Sequence, residues 1–220
     1  MGRAQPMGAA PWGRAAKRLH TGLQALGLAA DADTETRLLS YLETLARWNR
    51  VFNLTAIHDP EDMVERHILD SLAILPHLPT GRLLDMGSGA GLPGIPIAVL
   101  QARRSVTLLD RSRKRMDFLT EVVARLALTQ VALAHGRVED HAPEAPYAVI
   151  TARAFASLND IALSAGRLLA QGGVIAAMKG ALPTEELATL APPFTIQAVH
   201  ALEVPGLAAK RHLVVLARDP

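Results

Sequence analysis

Cysteine is absent from all 220 residues, which excludes disulfides, thiolate metal sites and a cysteine nucleophile. No apolar run approaches the roughly 20 residues that a membrane-spanning helix needs. Acidic residues are missing from positions 1–30, where Arg3, Arg14, Lys17 and Arg18 stand among Ala, Gly and Pro. Pro6, Pro11 and the glycines interrupt any amphipathic helix before about Lys17, so residues 1–16 are expected to be a disordered extension, with Met7 as an alternative start, rather than a targeting segment. No repeat or low-complexity stretch follows. Half of the composition is hydrophobic, enough for one α/β domain with a modest helical appendage. Net charge is only +2, so basic residues matter through where they cluster.

The chain is organised around residues 82–99, RLLDMGSGAGLPGIPIAV. An apolar run ends on Asp85, three closely spaced glycines follow, and a helix-like segment begins near Pro93. That order predicts strand, tight turn and helix, the first half of a βαβ unit. Gly87, Gly89 and Gly91 permit positive φ and carry no Cβ, so a ligand can approach the backbone. Gly89, Gly91 and Gly94 also satisfy the dinucleotide fingerprint G-x-G-x-x-G, which keeps an NAD(P)-dependent reductase open. The intervening Asp85-Met86-Gly87-Ser88 favours another cofactor. D-x-G-x-G-x-G is similar to the first motif of S-adenosylmethionine (SAM) dependent methyltransferases, where an acid at the strand tip suits an ammonium and a sulfonium.

Helical spacing of apolar residues predicts helices over 17–28 and 34–52, before the cradle. Asn53-Leu54-Thr55 interrupts the pattern with short hydrogen-bonding side chains. Asp59-Pro60-Glu61-Asp62 is a helix start, with Asp59 as cap. The helix it opens places His67, Asp70 and Ser71 on one face with Arg66 four residues before Asp70; the bland account of that face is a local ion pair and a satisfied histidine, and spacing alone does not decide it against a functional one. One histidine without a second suitably spaced ligand does not make a metal site. After the cradle, strands are expected over 105–110, 130–136, 147–151 and 174–178. Asp110 ends the first of them, where nucleotide-binding α/β folds place a carboxylate for ribose hydroxyls. Arg103, Arg104, Arg111, Arg113, Lys114 and Arg115 crowd this rim; a solvated face is the usual explanation of such a run and phosphate recognition the sharper one, and no aromatic residue is interleaved with them. Val138-Glu139 follows the next strand and can read an adenine edge. Arg153 stands at a strand end, where open sheets bind ligands. Helices over 157–169 and 184–190 and a final antiparallel strand pair, 195–203 and 212–217, complete the chain.

Seven separated blocks, WNRVFNLTAIHDPEDMVERHILDSL, LLDMGSGAGLPGIP, RSRKRMDFL, GRVED, ITARAFASLND, MKG and RHLVV, occur in this order. Together they resemble the bacterial 16S ribosomal RNA guanine-N7 methyltransferase family, called RsmG or GidB. The resemblance runs from about Leu38 to Arg218. It implies an α/β fold, a Rossmann-like class I SAM-dependent methyltransferase with a mostly parallel seven-stranded sheet, an antiparallel last strand and an N-terminal helical cap. The cap would span 17–76 and the SAM-binding core 77–220, as one unit. It implies SAM as cofactor and a guanine of the decoding region of 16S ribosomal RNA, in free RNA or in the small ribosomal subunit, as target. By motif, SAM contacts fall on Gly87, Leu92, Val138, Glu139 and Arg153, with Asp110 as the ribose acid. Candidate RNA contacts are Asn53, Thr55, Arg66, His67, Arg113, Lys114, Arg115 and Lys179, with Lys210-Arg211 adding basic surface. A cytoplasmic monomer without metal or membrane attachment is expected, and a non-catalytic ribosome assembly factor is the alternative outside the enzymes.

Guanine N7 carries an exposed lone pair and loses no proton before attack, so no general base is required and none is assigned. Methylation of a pyrimidine carbon through a thiolate adduct is excluded by the lack of cysteine. The D/N-P-P-aromatic motif of exocyclic-amine methylation is also missing, since the fourth strand ends in TARAF.

Overall fold

The computed structural model describes residues 9–153 and 157–219. Residues 1–8 of the expected disordered extension, and Phe155 in the TARAF block, lie outside the described residues. Helix α1 (Ala9–Ala25) starts ahead of Lys17, so the expectation of disorder up to residue 16 fails from Ala9 onward. Pro11 falls in the first turn, where a helix does not use the backbone N–H. Ala15, Leu19 and Leu23 recur at four-residue spacing and are fully buried, while Arg14 pairs with Glu61 at 2.7 Å. Burial of that apolar stripe outweighs the helix-breaking composition of the segment's beginning.

Helix α2 (Ala32–Phe52) is capped by Asp31, which accepts the Thr34 N–H at 2.8 Å. It ends at Asn53, whose φ of 49° turns the chain. Asp59 caps α3 (Pro60–Met63) as expected, accepting the N–H groups of Glu61 and Asp62. The helix then widens into a π-helical stretch, Val64–Leu69, before α4 (Asp70–Leu72). That extra width is invisible to a 3.6-residue pattern, and such stretches recur at functional sites.

Seven strands, β1 (Leu83–Met86), β2 (Val106–Asp110), β3 (Val131–His135), β4 (Tyr147–Arg153), β5 (Leu169–Lys179), β6 (Phe194–Leu202) and β7 (Arg211–Arg218), form one sheet in the order β3-β2-β1-β4-β5-β7-β6. Strands β1 to β5 pair in parallel, and β7 runs antiparallel to both its neighbours, β5 and β6. Every residue of β1 and β2 is buried, as a parallel sheet covered on both faces requires. Leu83, Val106 and Leu108 face a core shared with α1, α2, α5 (Gly94–Leu100) and α6 (Arg113–Arg125). Leu84, Met86 and Leu109 face α7 (Leu158–Ala165) on the other side. The sequence places one helix over 157–169, but α7 yields at Gly166 to a 3-10 turn and then to β5, which begins before Gly172-Gly173. A side chain at Gly166 would meet the Phe194 ring at 2.2 Å, so glycine there lets helix and strand close up. Helix α8 (Thr184–Ala188) is shorter than its pattern predicts. The chain order reverses between β1 and β4, whose ends pair as Met86 with Ala152. Open α/β sheets bind ligands at such a switch point.

Candidate functional site

The cradle leaves β1 through three glycines in the left-handed region, Gly87 (φ 68°), Gly89 (φ 59°) and Gly91 (φ 86°). A Cβ on Gly91 would lie 2.5 Å from Ile95 and 2.8 Å from Leu119, so glycine is required there by both conformation and packing. Gly94 serves packing too, since a Cβ would meet Leu108 at 2.3 Å. Asp85 is fully buried. It accepts the Gly94 N–H at 2.8 Å and the Thr151 hydroxyl at 3.1 Å. Burial raises its carboxyl to about 6, against the pull of those two donors. The expectation that this acid faces a cofactor ammonium and sulfonium is therefore corrected: Asp85 staples β1 to α5 and β4 and lines neither cavity described below.

Asp110 at the end of β2 braces the loop from the other side. It accepts the Gly89 N–H at 2.9 Å, the Ser112 N–H at 2.8 Å and a guanidinium N–H of Arg115 at 3.2 Å. Two cavities meet at this loop. The larger, about 420 Å³, holds Gly87, Asp110, Val138, Glu139 and Arg153 in its wall. The smaller, about 230 Å³, is bounded by Gly87, Gly89, Leu92, Thr55, His67 and Arg153. Gly87, Arg115 and Arg153 belong to both walls and mark the junction. Thus all the expected cofactor residues except Gly91, which shapes the turn, surround one double cavity. A roomier hollow of about 640 Å³ lies under α1 near Arg18 and Glu61, away from the strand ends.

Side chains from the helical segment close the smaller cavity. Asn49, buried in α2, donates to the Thr55 carbonyl at 2.8 Å and accepts the Thr55 N–H at 2.9 Å. The Thr55 hydroxyl sits 3.0 Å from His67 Nε2. Burial, then the Arg153 guanidinium, pushes the His67 imidazole down to about 4, so it is neutral at pH 7. Among the described residues, His67 Nδ1 and Ser88 Oγ are buried without hydrogen-bond partners beside this cavity. Asp70 does not make the local pair with Arg66 expected from spacing. Its carboxylate instead holds Arg153 at 3.2 Å and Arg211 at 2.9 Å, reaching β4 and β7. Burial pushes the Asp70 carboxyl up while both guanidiniums oppose that shift.

The remaining basic candidates divide. Arg66 is exposed and its carbonyl accepts from Arg153 at 3.2 Å. Arg113 pairs with Asp117 at 3.0 Å on the surface, and Lys114 donates to the Phe52 carbonyl at 2.9 Å. Lys179 is 2.8 Å from Glu186, which also accepts the Leu158 N–H, so it ties α8 to the start of α7 and lines neither cavity. Sequence reasoning missed Asn49, Thr151 and Arg167. Arg167 donates to the carbonyls of Val138, Glu139 and His141 and holds the turn that carries Val138 and Glu139. No local pattern marks it, because its partners lie about 30 residues earlier in the chain.

Residues 34–214 match the family model described as rRNA small subunit methyltransferase G, GidB. The chain belongs to this family. Among its members, the ribosomal RNA small subunit methyltransferase G of Pseudomonas paraeruginosa is 47% identical over 204 residues, covering 92% of this chain and 95% of its own. The Methylobacillus flagellatus protein of the same name is 45% identical, covering 91% and 97%. Solved structures share the fold at low identity. A glycopeptide N-methyltransferase in complex with SAM matches with a TM-score of 0.56 at 14% identity, over 70% of this chain and 88% of its own. TrmN from Thermus thermophilus gives 0.54 at 20%, over 71% and 53%. The rRNA small subunit methyltransferase G match spans the helical segment as well as the sheet, so Thr55, His67 and Asp70 lie within it.

Proposed function

We propose that this protein transfers the methyl group of SAM to N7 of a guanine in 16S ribosomal RNA, acting on the RNA or the small subunit as a cytoplasmic monomer. The observation that carries this reading is the double cavity at the switch point. Its walls come from the glycine loop, the ends of β2 and β4, and the helical segment of a chain in the rRNA small subunit methyltransferase G family.

The residues present fit the cofactor. The backbone of Gly87 is bare at the junction, Gly89 lines the smaller cavity, Asp110 and Glu139 offer acceptors in the larger one, and Ser88 and His67 bring to the smaller one buried polar atoms that are unpartnered among the described residues. Bound SAM supplies an electrophilic methyl group on a sulfonium. Gly87 leaves the approach open. Val138 and Glu139 hold the adenine end, and Asp110 accepts from the ribose while bracing Gly89. Arg153, aimed by Asp70, is a forked donor for the cofactor carboxylate. Neutral His67 and Thr55 close the other side and exclude water.

Since N7 needs no deprotonation, catalysis rests on alignment, which can supply up to roughly 7–11 kcal/mol. No His, Asp or Glu need act as a base. No observation favours the reductase: the packing role of Gly94 suits either fold, and the family matched over residues 34–214 is a methyltransferase family. The test is transfer of labelled methyl from SAM to small subunits isolated without this modification. Incorporation that depends on the protein is expected. A protein that binds SAM but labels neither subunits nor free 16S RNA is an assembly factor or acts on something else.

A further inference from the structure

Aromatic side chains are rare in this chain, four Phe, two Trp and two Tyr, yet three of them form a ladder from the core to the surface. Phe118 in α6 is fully buried. Trp48 meets it edge-on at 5.7 Å between centroids, and Phe52 lies over Trp48 at 5.1 Å with 34° between ring planes. The Trp48 indole donates to Glu121 at 2.8 Å, which fixes the middle rung. The outermost ring stays 37% exposed and its neighbour Val51 is 73% exposed. One exposed apolar residue needs no explanation. Its surroundings here do.

Lys114 crosses from α6 to stand 5.3 Å from the Phe52 centroid, its ammonium donating to the Phe52 carbonyl. Arg113 is largely solvent-exposed on the same turn, and Arg115 lines both cavities. Two residues beyond Phe52, Leu54 and Thr55 line the smaller cavity. Folding thus supplies what the basic rim lacks in sequence, an aromatic ring among its cations, brought from 62 positions away. A partly exposed ring with an ammonium over its face, two residues before the wall of the smaller cavity, matches the chemistry of single-stranded RNA: a π-face to stack and phosphates to neutralise.

We propose that Phe52, backed by Trp48 and flanked by Val51, is a stacking platform for an unpaired base of the RNA next to the target guanine. Lys114 covers the ring in the free protein and moves to a backbone phosphate as the base arrives. This rests on the RNA-substrate reading above. The occupant is a nucleobase rather than a protein segment because Lys114 stands over the ring, with Arg113 and Arg115 on either side of it in α6.

The test compares binding of oligoadenylate, and of the same strand with abasic riboses, to the full chain loaded with S-adenosylhomocysteine. Stacking predicts a preference for the strand with bases of roughly ten-fold, within the 5- to 150-fold range that loss of one aromatic–base stack spans. Phe52→Leu keeps the apolar contact with Trp48, so it should lose the preference while retaining S-adenosylhomocysteine affinity and salt dependence. Phe52→Trp should keep the preference. Lys114→Gln should lower the salt slope by about one and leave the preference in place. The platform is overturned if Phe52→Leu discriminates as the wild type does. It is also overturned if that variant weakens both strands equally or loses S-adenosylhomocysteine. A wild type that binds both strands alike removes the platform alone, whereas one that binds neither strand removes the RNA reading with it.

Discussion

The glycine cradle and the polar knot on its cap side make opposite use of the chain. The cradle is built within a few residues of β1, mostly from backbone: left-handed glycines, the Gly94 N–H on Asp85 and the Gly89 N–H on Asp110. The knot joins Asn49, Thr55, His67, Asp70, Arg153 and Arg211, from α2, the loop after it, the π-helical segment, α4, β4 and β7, and every one of its links uses at least one side chain. A backbone device tolerates no Cβ but little depends on any one charge. A side-chain device tolerates changes of backbone but fails when one partner leaves a buried charge uncompensated. The cradle therefore governs whether a cofactor binds, and the knot governs how Arg153 is aimed.

The sharpest break in this comparison is Gly87→Val. A β-branched residue at φ 68° is strained and fills the junction of both cavities, so S-adenosylhomocysteine affinity measured by calorimetry should fall by more than about a hundred-fold while the fold persists. On the knot side, Asp70→Ala frees two guanidiniums from one buried carboxylate. Denaturant unfolding should show a loss of roughly 3 kcal/mol, at the low end for a broken buried pair because both arginines keep some solvent contact. Cofactor affinity should fall less than in Gly87→Val. Equal losses of affinity would erase the distinction.

Titration separates His67 in the knot from Asp85 in the cradle by sign, while Asp70 shifts in the same direction as Asp85. His67 in the knot falls to about 4 on folding, so the unfolded chain binds the extra proton between about 4 and 6.5 and stability is lost as pH falls through that window. Asp85 in the cradle rises to about 6, so its contribution is lost as pH rises from about 4 to 6. His67→Asn should remove an acid destabilisation on the order of 3 kcal/mol and expose the opposite slope from Asp85. A variant with the wild-type pH profile would show that His67 is not the buried neutral group described. The smallest effect belongs to the rim: Arg113→Ala, at a pair open to solvent, should change stability by no more than about 0.5 kcal/mol. It should lower the salt slope of RNA binding by about one. Arg115→Ala should weaken cofactor binding as well, since Arg115 also braces Asp110.

The same contrast explains what the sequence disclosed. The cradle was legible because strand, turn and helix follow one another and glycines cluster in the turn between them. Parallel β1 to β5 and the antiparallel β7 were legible through apolar runs and the resemblance. Early α1 was not, because Pro11 and Gly13 argue against helix locally while the buried Ala15, Leu19 and Leu23 decide in its favour. The Asp70 partners were misread for a related reason. Helical spacing offered Arg66 four residues away, yet the π-helical widening and the closure of β4 and β7 bring Arg153 and Arg211 from 83 and 141 positions away. Asp85 was placed at the right position with the wrong task, since sequence locates a carboxylate at a strand tip but not the direction it faces.

The central claim is most directly tested by the identity of the methylated nucleoside. Small subunits lacking the modification would be incubated with the protein and labelled SAM, and their RNA digested to nucleosides and resolved by mass. Label in N7-methylguanosine at a single position of 16S RNA is the predicted result. Label in a methylated pyrimidine, an exocyclic amine or a ribose would contradict a site that works by alignment without a base or a thiol.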